Sequence, residues 1–201
     1  SSHQLDIAER GFSYRHDGPL DMRMDTDAEW SADDVVNGYD QARLADVIHR
    51  YGDERFARRI AAAIVAARPI ESTTQLAEVV TAAIPAPARR TVGHPAKRTF
   101  QAIRIEVNGE LDALPGALDS AIDALRPGGR LAVLAYHSGE DRIVKERIRL
   151  AETGGCECPP ELPCVCGAVQ TVRIVKAPKR PSAAEQAGNP RATSARYRVA
   201  E

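Results

Sequence analysis

The sequence predicts an α/β chain in which a helical block precedes the end of a sheet. Two observations carry this. Residues 41–84 place apolar side chains at helical spacing, with breaks at Gly52, Pro69 and Pro85. Residues 114–136 read as a helix, a Pro-Gly-Gly turn and an apolar strand. The composition agrees: 43% of the 201 residues are hydrophobic and 27% charged, as in ordinary globular chains. Aromatics make up only 4%, so the core must rest on Ala, Val, Ile and Leu. That length suffices for one domain, or one domain with an insertion. No apolar run reaches the roughly 18 residues of a membrane span. SSHQLDIAER lacks the basic and apolar regions of a signal peptide, so a cytoplasmic protein is expected.

Taken in order, residues 1–30 carry turn residues and little periodicity. Within them GFSYRHDGPLDMRMD holds both methionines, Met22 and Met24, with Arg15, Arg23 and three aspartates. It reads as neither helix nor strand. From Ser31 the pattern changes: Ser31 can cap a helix whose first turn carries Asp33 and Asp34. RLADVIHRYG, ERFARRIAAAIVAARPI and TTQLAEVVTAAIP are three amphipathic helices, each ended by its breaker. Thr73 or Thr74 is the expected cap of the third, with Glu78 too distant for a capping box. A fourth helix is expected from Pro95 to about Val107.

The later residues change character. The strand expected from Arg130 to Tyr136 is apolar on both faces, as in the middle of a parallel sheet. GEDRIVKERIRL returns to helix, and residues 151–169 form a loop rich in Cys, Pro and Gly. QTVRIVK and TSARYRVA alternate as strands do, with the linker KRPSAAEQAGNPRA between them. One βα unit and two strands do not complete a doubly wound sheet. Either further strands precede Ser1, or this is a small irregular α+β protein.

Net charge is −1, yet residues 1–50, 51–100, 101–169 and 170–201 carry −6, +4, −4 and +5. Two basic segments on an acidic chain suit an anionic partner such as nucleic acid; solvated surface is the alternative. The tail bases Lys176, Lys179, Arg180, Arg191, Arg196 and Arg198 are read as phosphate contacts, with charge-protected strand edges as the alternative. His137, Ser138, Glu140 and Asp141 lie just beyond the carboxyl end of the apolar strand, where open α/β sheets bind ligands. They can equally cap the following helix. Cys156, Cys158, Cys164 and Cys166 invite a zinc reading. Their C-x-C spacing is tighter than the usual C-x2-C, so a reduced surface loop is the reading taken and zinc the alternative.

LRPGGRLAVLAYHSGEDRIVK resembles the strand that ends in His-Ser-Leu-Glu-Asp-Arg in the bacterial small-subunit (16S) ribosomal RNA cytosine-N4 methyltransferases, the S-adenosylmethionine-dependent MraW family. RGFSYRHDGPLDMRMD, YGDERFARRIAAAIV, TTQLAEVV, HPAKRTFQAIRIEVNGEL and NPRATSARYRVAE are similar to that family in the same order. The resemblance implies a Rossmann-like class I methyltransferase fold with an all-helical insertion domain. It divides the chain into residues 1–30 (end of the fourth strand and a cleft loop), 31–108 (the inserted, RNA-recognising domain) and 109–201 (the rest of the methyltransferase domain, with the Cys-rich loop 154–167).

The resemblance further implies transfer of a methyl group from S-adenosylmethionine to the N4 of a cytidine in the decoding region. SSHQLD matches the end of the family's Asp-Leu-Gly-Val-Ser-Ser-x-Gln-Leu-Asp segment. The family's glycine-rich cofactor turn falls before it, so only Gln4 survives of the cofactor contacts and the chain alone is expected to be inactive. The cytosine amino group is a weak nucleophile, and acceptors for its N–H groups return density to nitrogen. Ser1, Ser2, His137 and Ser138 are placed for this, with Asp141 orienting His137 or holding Arg142. Arg23 of the cleft loop is a substrate-binding candidate, read as meeting RNA or as pairing internally. Trp30 either stacks on the target base or packs under the helical block, since Val35 stands where the family carries an aromatic residue. The expected partner is small-subunit ribosomal RNA or the assembled subunit, with no membrane partner and a dimer left open. The other reading, from a different class, is a non-catalytic RNA-binding or zinc-bearing module.

Overall fold

The structure is a computed structural model that describes residues 7–90, 93–159 and 165–201. The chain divides into two compact units, Ser1–Glu110 and Leu111–Glu201.

The first unit is helical. α1 (Gln41–Gly52) starts at Asp40, whose carboxylate accepts the N–H groups of Ala42 and Arg43. α2 (Ala57–Ala66), α3 (Thr73–Ala83) and α4 (Lys97–Asn108) follow, and α1 packs on both α2 and α4. Leu44, Ile48, Ile60, Ile64, Leu76 and Ile103 are fully buried between them. Gly52 matters at the α1–α4 crossing: a Cβ there would lie 2.7 Å from the Arg98 carbonyl oxygen. The expected caps need correction at two places. Ser72, not Thr73 or Thr74, caps α3 by accepting from Gln75, because Thr73 is fully buried and donates its hydroxyl to the His16 carbonyl. Ser31 donates its hydroxyl to Asp34, and the chain there forms a short π-helical turn, Asp34–Gly38, whose Val35 and Val36 are buried.

The second unit stacks α5 (Leu114–Asp123) and α6 (Ser138–Thr153) beside a sheet of β1 (Leu131–Ala135), β2 (Ile174–Val175) and β3 (Arg196–Ala200). A short α7 (Ala183–Gly188) lies in the link between β2 and β3. The strand order is β1-β3-β2, and β3 runs antiparallel to both neighbours, Val133 opposite Arg198 and Val175 opposite Val199. Leu118, Ile122, Val144, Ile148, Val172 and Ala200 form the core. β1 was expected to be buried on both faces within a parallel sheet; among the described residues it pairs with β3 alone, antiparallel. Leu131 and Val133 pack on that core, whereas Leu134 is 57% exposed. Among the described residues β1 has one strand neighbour, and one layer covers it. A strand apolar on both faces needs two such layers.

Candidate functional site

The turn that leaves β1 is built by its own side chains. His137 is the N-cap of α6: its Nδ1 accepts the Glu140 N–H at 3.4 Å. Glu140 Oε2 accepts the N–H groups of Tyr136 at 2.7 Å and His137 at 3.3 Å, completing a capping box. Glu140 Oε1 lies 3.5 Å from His137 Nε2, and the imidazole is only 8% exposed. Ser138 is exposed at the start of the helix, and Tyr136 is 55% exposed at the end of the strand. The accessible groups at this strand end are therefore a phenol and a hydroxyl, with the imidazole fixing the turn behind them. Sequence reading had counted Tyr136 as strand. Its signal was an aromatic residue closing a strand at the end that faces ligands.

Asp141 takes a different partner from the two expected. It forms a two-point ion pair with Arg198 of β3, at 2.7 and 2.8 Å. The Arg198 guanidinium holds the Asp141 carboxyl below the usual carboxylate range, against the opposing effect of burial. This ties α6 to β3 and removes Arg198 from the set of free basic groups in the tail. Arg196 donates to the Ala195 carbonyl, while Lys176, Lys179 and Arg180 are exposed.

In the helical unit, the loop of residues 11–30 is ordered by polar clamps. Asn108, the last residue of α4, donates to the Met22 carbonyl at 2.7 Å and accepts the Met24 N–H at 2.6 Å. Met22 is fully buried with φ at 56°, whereas Met24 is exposed. Arg23 pairs with Asp21, its Nε 2.7 Å from Oδ1, and donates to the Ala28 carbonyl at 2.8 Å. Asp21 is held below its ordinary range by that arginine. Arg23 thus serves the shape of its own loop.

Trp30 is 43% exposed and tilted against Tyr39, ring centroids 5.7 Å apart. Tyr39 donates to Glu106 at 2.7 Å, and the Arg43 guanidinium lies 3.7 Å over its ring. Burial, with the Glu106 carboxylate beside it, pushes the Tyr39 phenol up to about 12. The Tyr–Arg–Glu cluster thus lies beside an indole that stays 43% exposed. Trp30 and Tyr136 are the exposed aromatic rings among the described residues.

Basic residues collect where helices begin. Lys97 and Arg98 open α4, Arg58 and Arg59 lie in the first turn of α2, and all four are exposed. Arg98 donates to the Asp53 carbonyl at 2.8 Å, which places the start of α4 beside the turn into α2. Neither helix carries an acid in its first turn. Cations at the positive end of a helix dipole are self-repelling, and an external anion relieves that repulsion.

Cys156, Cys158 and Cys166, none of them in a disulfide, converge in one loop. Ser1, Ser2, Gln4 and Cys164 lie outside the described residues. The residues that are described do not fit an S-adenosylmethionine cradle. The turn from β1 into α6 is the one place among them where a strand feeds a helix directly, and there the cap nitrogens are already bonded to His137 and Glu140. No described helix is long and apolar enough to cross a membrane.

The model of the MraW methylase family matches residues 1–201. A protein of Paenibacillus sp. (strain JDR-2) named ribosomal RNA small subunit methyltransferase H is 52% identical over 206 residues, covering 100% of this chain and 65% of its own length. Proteins of the same name from Symbiobacterium thermophilum and Geobacter sulfurreducens are 55% and 54% identical, covering 99% and 100% of this chain. The chain spans 64% and 66% of those two relatives, slightly less than two thirds of their length. A match that runs from the first residue to the last, at more than half identity, makes this chain a member of the MraW methylase family.

Proposed function

We propose that the protein to which this chain belongs methylates the exocyclic N4 of a cytidine in the decoding region of small-subunit ribosomal RNA, using S-adenosylmethionine. The observation that carries this reading is the match of residues 1–201 to relatives named for small-subunit ribosomal RNA methylation. In this reading residues 111–201 belong to a Rossmann-like methyltransferase domain, and the helical block is an insertion that grips RNA. S-adenosylmethionine, when bound, supplies the methyl group, and residues outside the described set hold it. The described residues act on the RNA.

The target cytosine must leave its stack to be reached, and an open aromatic face can receive it. Each unit offers one ring of its own for that role: Trp30 beside Tyr39 in the first, or Tyr136 at the strand end in the second. Ser138 is an exposed acceptor for an amino N–H. His137 and Asp141 act as positioning residues: His137 through the cap of α6, and Asp141 through Arg198. Arg58, Arg59, Lys97 and Arg98 would meet RNA phosphates, as would Lys176, Lys179 and Arg180.

The test is methyl transfer from labelled cofactor to small-subunit RNA by the full-length protein, followed by nucleoside analysis. N4-methylcytidine is expected. Label recovered on another base, or on a ring carbon, overturns the assignment. Tyr136→Ala is expected to lower turnover at least tenfold with the fold intact; unchanged turnover removes Tyr136 from the site.

A further inference from the structure

Between residues 154 and 170, the described residues contribute nothing to the hydrophobic core. None of them is buried, and Val165 and Val169 are 89% and 70% exposed. The two arms of this loop nonetheless return to one another in a defined way. α6 ends at Gly154 with φ at 60°, and Gly155 follows at 74°. A Cβ on Gly154 would lie 2.5 Å from the Val169 nitrogen, so only glycine lets the arms meet at their base. Thr171 closes that base, its N–H donating to the Ala151 carbonyl at 2.9 Å. Cys156 N–H is bonded to the Thr153 carbonyl at 3.1 Å. Beyond this base, the sulfur atoms of Cys156, Cys158 and Cys166 all lie within 4.8 Å of one another. Two come from the outgoing arm and one from the returning arm.

We propose that Cys156, Cys158 and Cys166 form a thiolate site for zinc. Tetrahedral zinc with Zn–S bonds of about 2.3 Å sets its sulfurs about 3.8 Å apart, so the three need close by no more than about 1 Å. On an exposed loop this needs only small rotations about the Cys side-chain bonds. Each thiol gives up a proton as it binds: three thiols and one Zn2+ yield a complex of charge −1 and three protons released to solvent. The fourth tetrahedral position goes to water or a further donor. Cys164, two residues before Cys166, lies outside the described residues, and the proposal rests on the other three. The metal would link the two arms where apolar burial does not. The chemistry favours zinc over calcium or magnesium, which take oxygen ligands.

The test uses the full 201-residue chain, purified under reducing, chelator-free conditions after growth with zinc. Elemental analysis is expected to find one zinc per chain, released when a mercurial titrates the thiols. Cys158→Ser and Cys166→Ser are expected to lower occupancy at least tenfold, while Glu157→Gln keeps it, all with unchanged far-ultraviolet circular dichroism. Cobalt added to the metal-free wild-type chain is expected to show thiolate-to-metal charge-transfer absorption. A wild-type chain that holds no zinc and takes up none on titration overturns the proposal. So does cobalt bound without the thiolate band, a reading that needs no variant to fold.

Discussion

Asp141 shows how much a single residue's role depends on what faces it. Its carboxylate is paired at two points with Arg198, which depresses its pKa in the folded state. A depressed carboxyl contributes stability above its unfolded pKa of about 3.9 and loses it as pH falls through the lower folded value. Asp141→Asn should therefore cost about 1–3 kcal/mol near neutrality, with the gap to wild type closing in acid. Urea midpoints measured down the acid limb check this; a gap that stays constant would assign the loss to another cause. Asn108 offers a second case, since one amide satisfies both the Met22 carbonyl and the Met24 N–H. Asn108→Ala is expected to destabilise by about 1–3 kcal/mol and to expose the 22–24 segment to hydrogen exchange. Protection at Met24 equal to wild type would contradict that clamp.

Helices were the most legible elements, and the reason is local. Leu44, Val47 and Ile48 of α1 recur at helical spacing, and Gly52, Pro69 and Pro85 mark the boundaries without reference to any distant residue. The cap of α3 shifted to Ser72 because burial of Thr73 against the His16 carbonyl is a long-range fact. Gly52 looked like a mere helix stop, yet it also permits the close approach of α4. Gly52→Ala should cost about 1–3 kcal/mol through that contact, measurable as a lowered thermal midpoint. An unchanged midpoint would mean α4 can shift freely. The sheet was less legible: β1 was read as the interior of a parallel sheet, but the structure pairs it antiparallel with β3. Apolar residues on both faces do not report strand direction, and in this chain Leu134 of that strand is 57% exposed.

For the whole molecule, charge distribution and missing chemistry both bear on function. The exposed cations at the starts of α2 and α4 predict binding set by phosphate, not by base identity. Replacing Arg58, Arg59 and Lys97 by Ala should weaken RNA binding evenly across sequences and lower the log–log salt slope by roughly 0.7 per lost contact. Titrations at several salt concentrations check this, and an unchanged slope would move the RNA surface elsewhere. The cofactor prediction is the opposite one. Because the described residues offer no glycine-rich cradle, calorimetry on the 201-residue chain is expected to show no micromolar affinity for S-adenosylmethionine. A micromolar isotherm would mean the 201 residues suffice for cofactor binding.

The order of the helices and the family membership were readable from residues near one another in sequence. Periodicity, breakers and short motifs depend on neighbours a few positions apart, so they survive in one dimension. Partner choice does not. That Asp141 would meet Arg198, 57 positions away, that Asn108 would hold Met22, and that three sulfurs would converge from two arms of one loop depend on the chain returning on itself. Tertiary structure also decided which aromatic rings stay open. Trp30 stays 43% exposed beside Tyr39, and Tyr136 stays 55% exposed just past the end of β1.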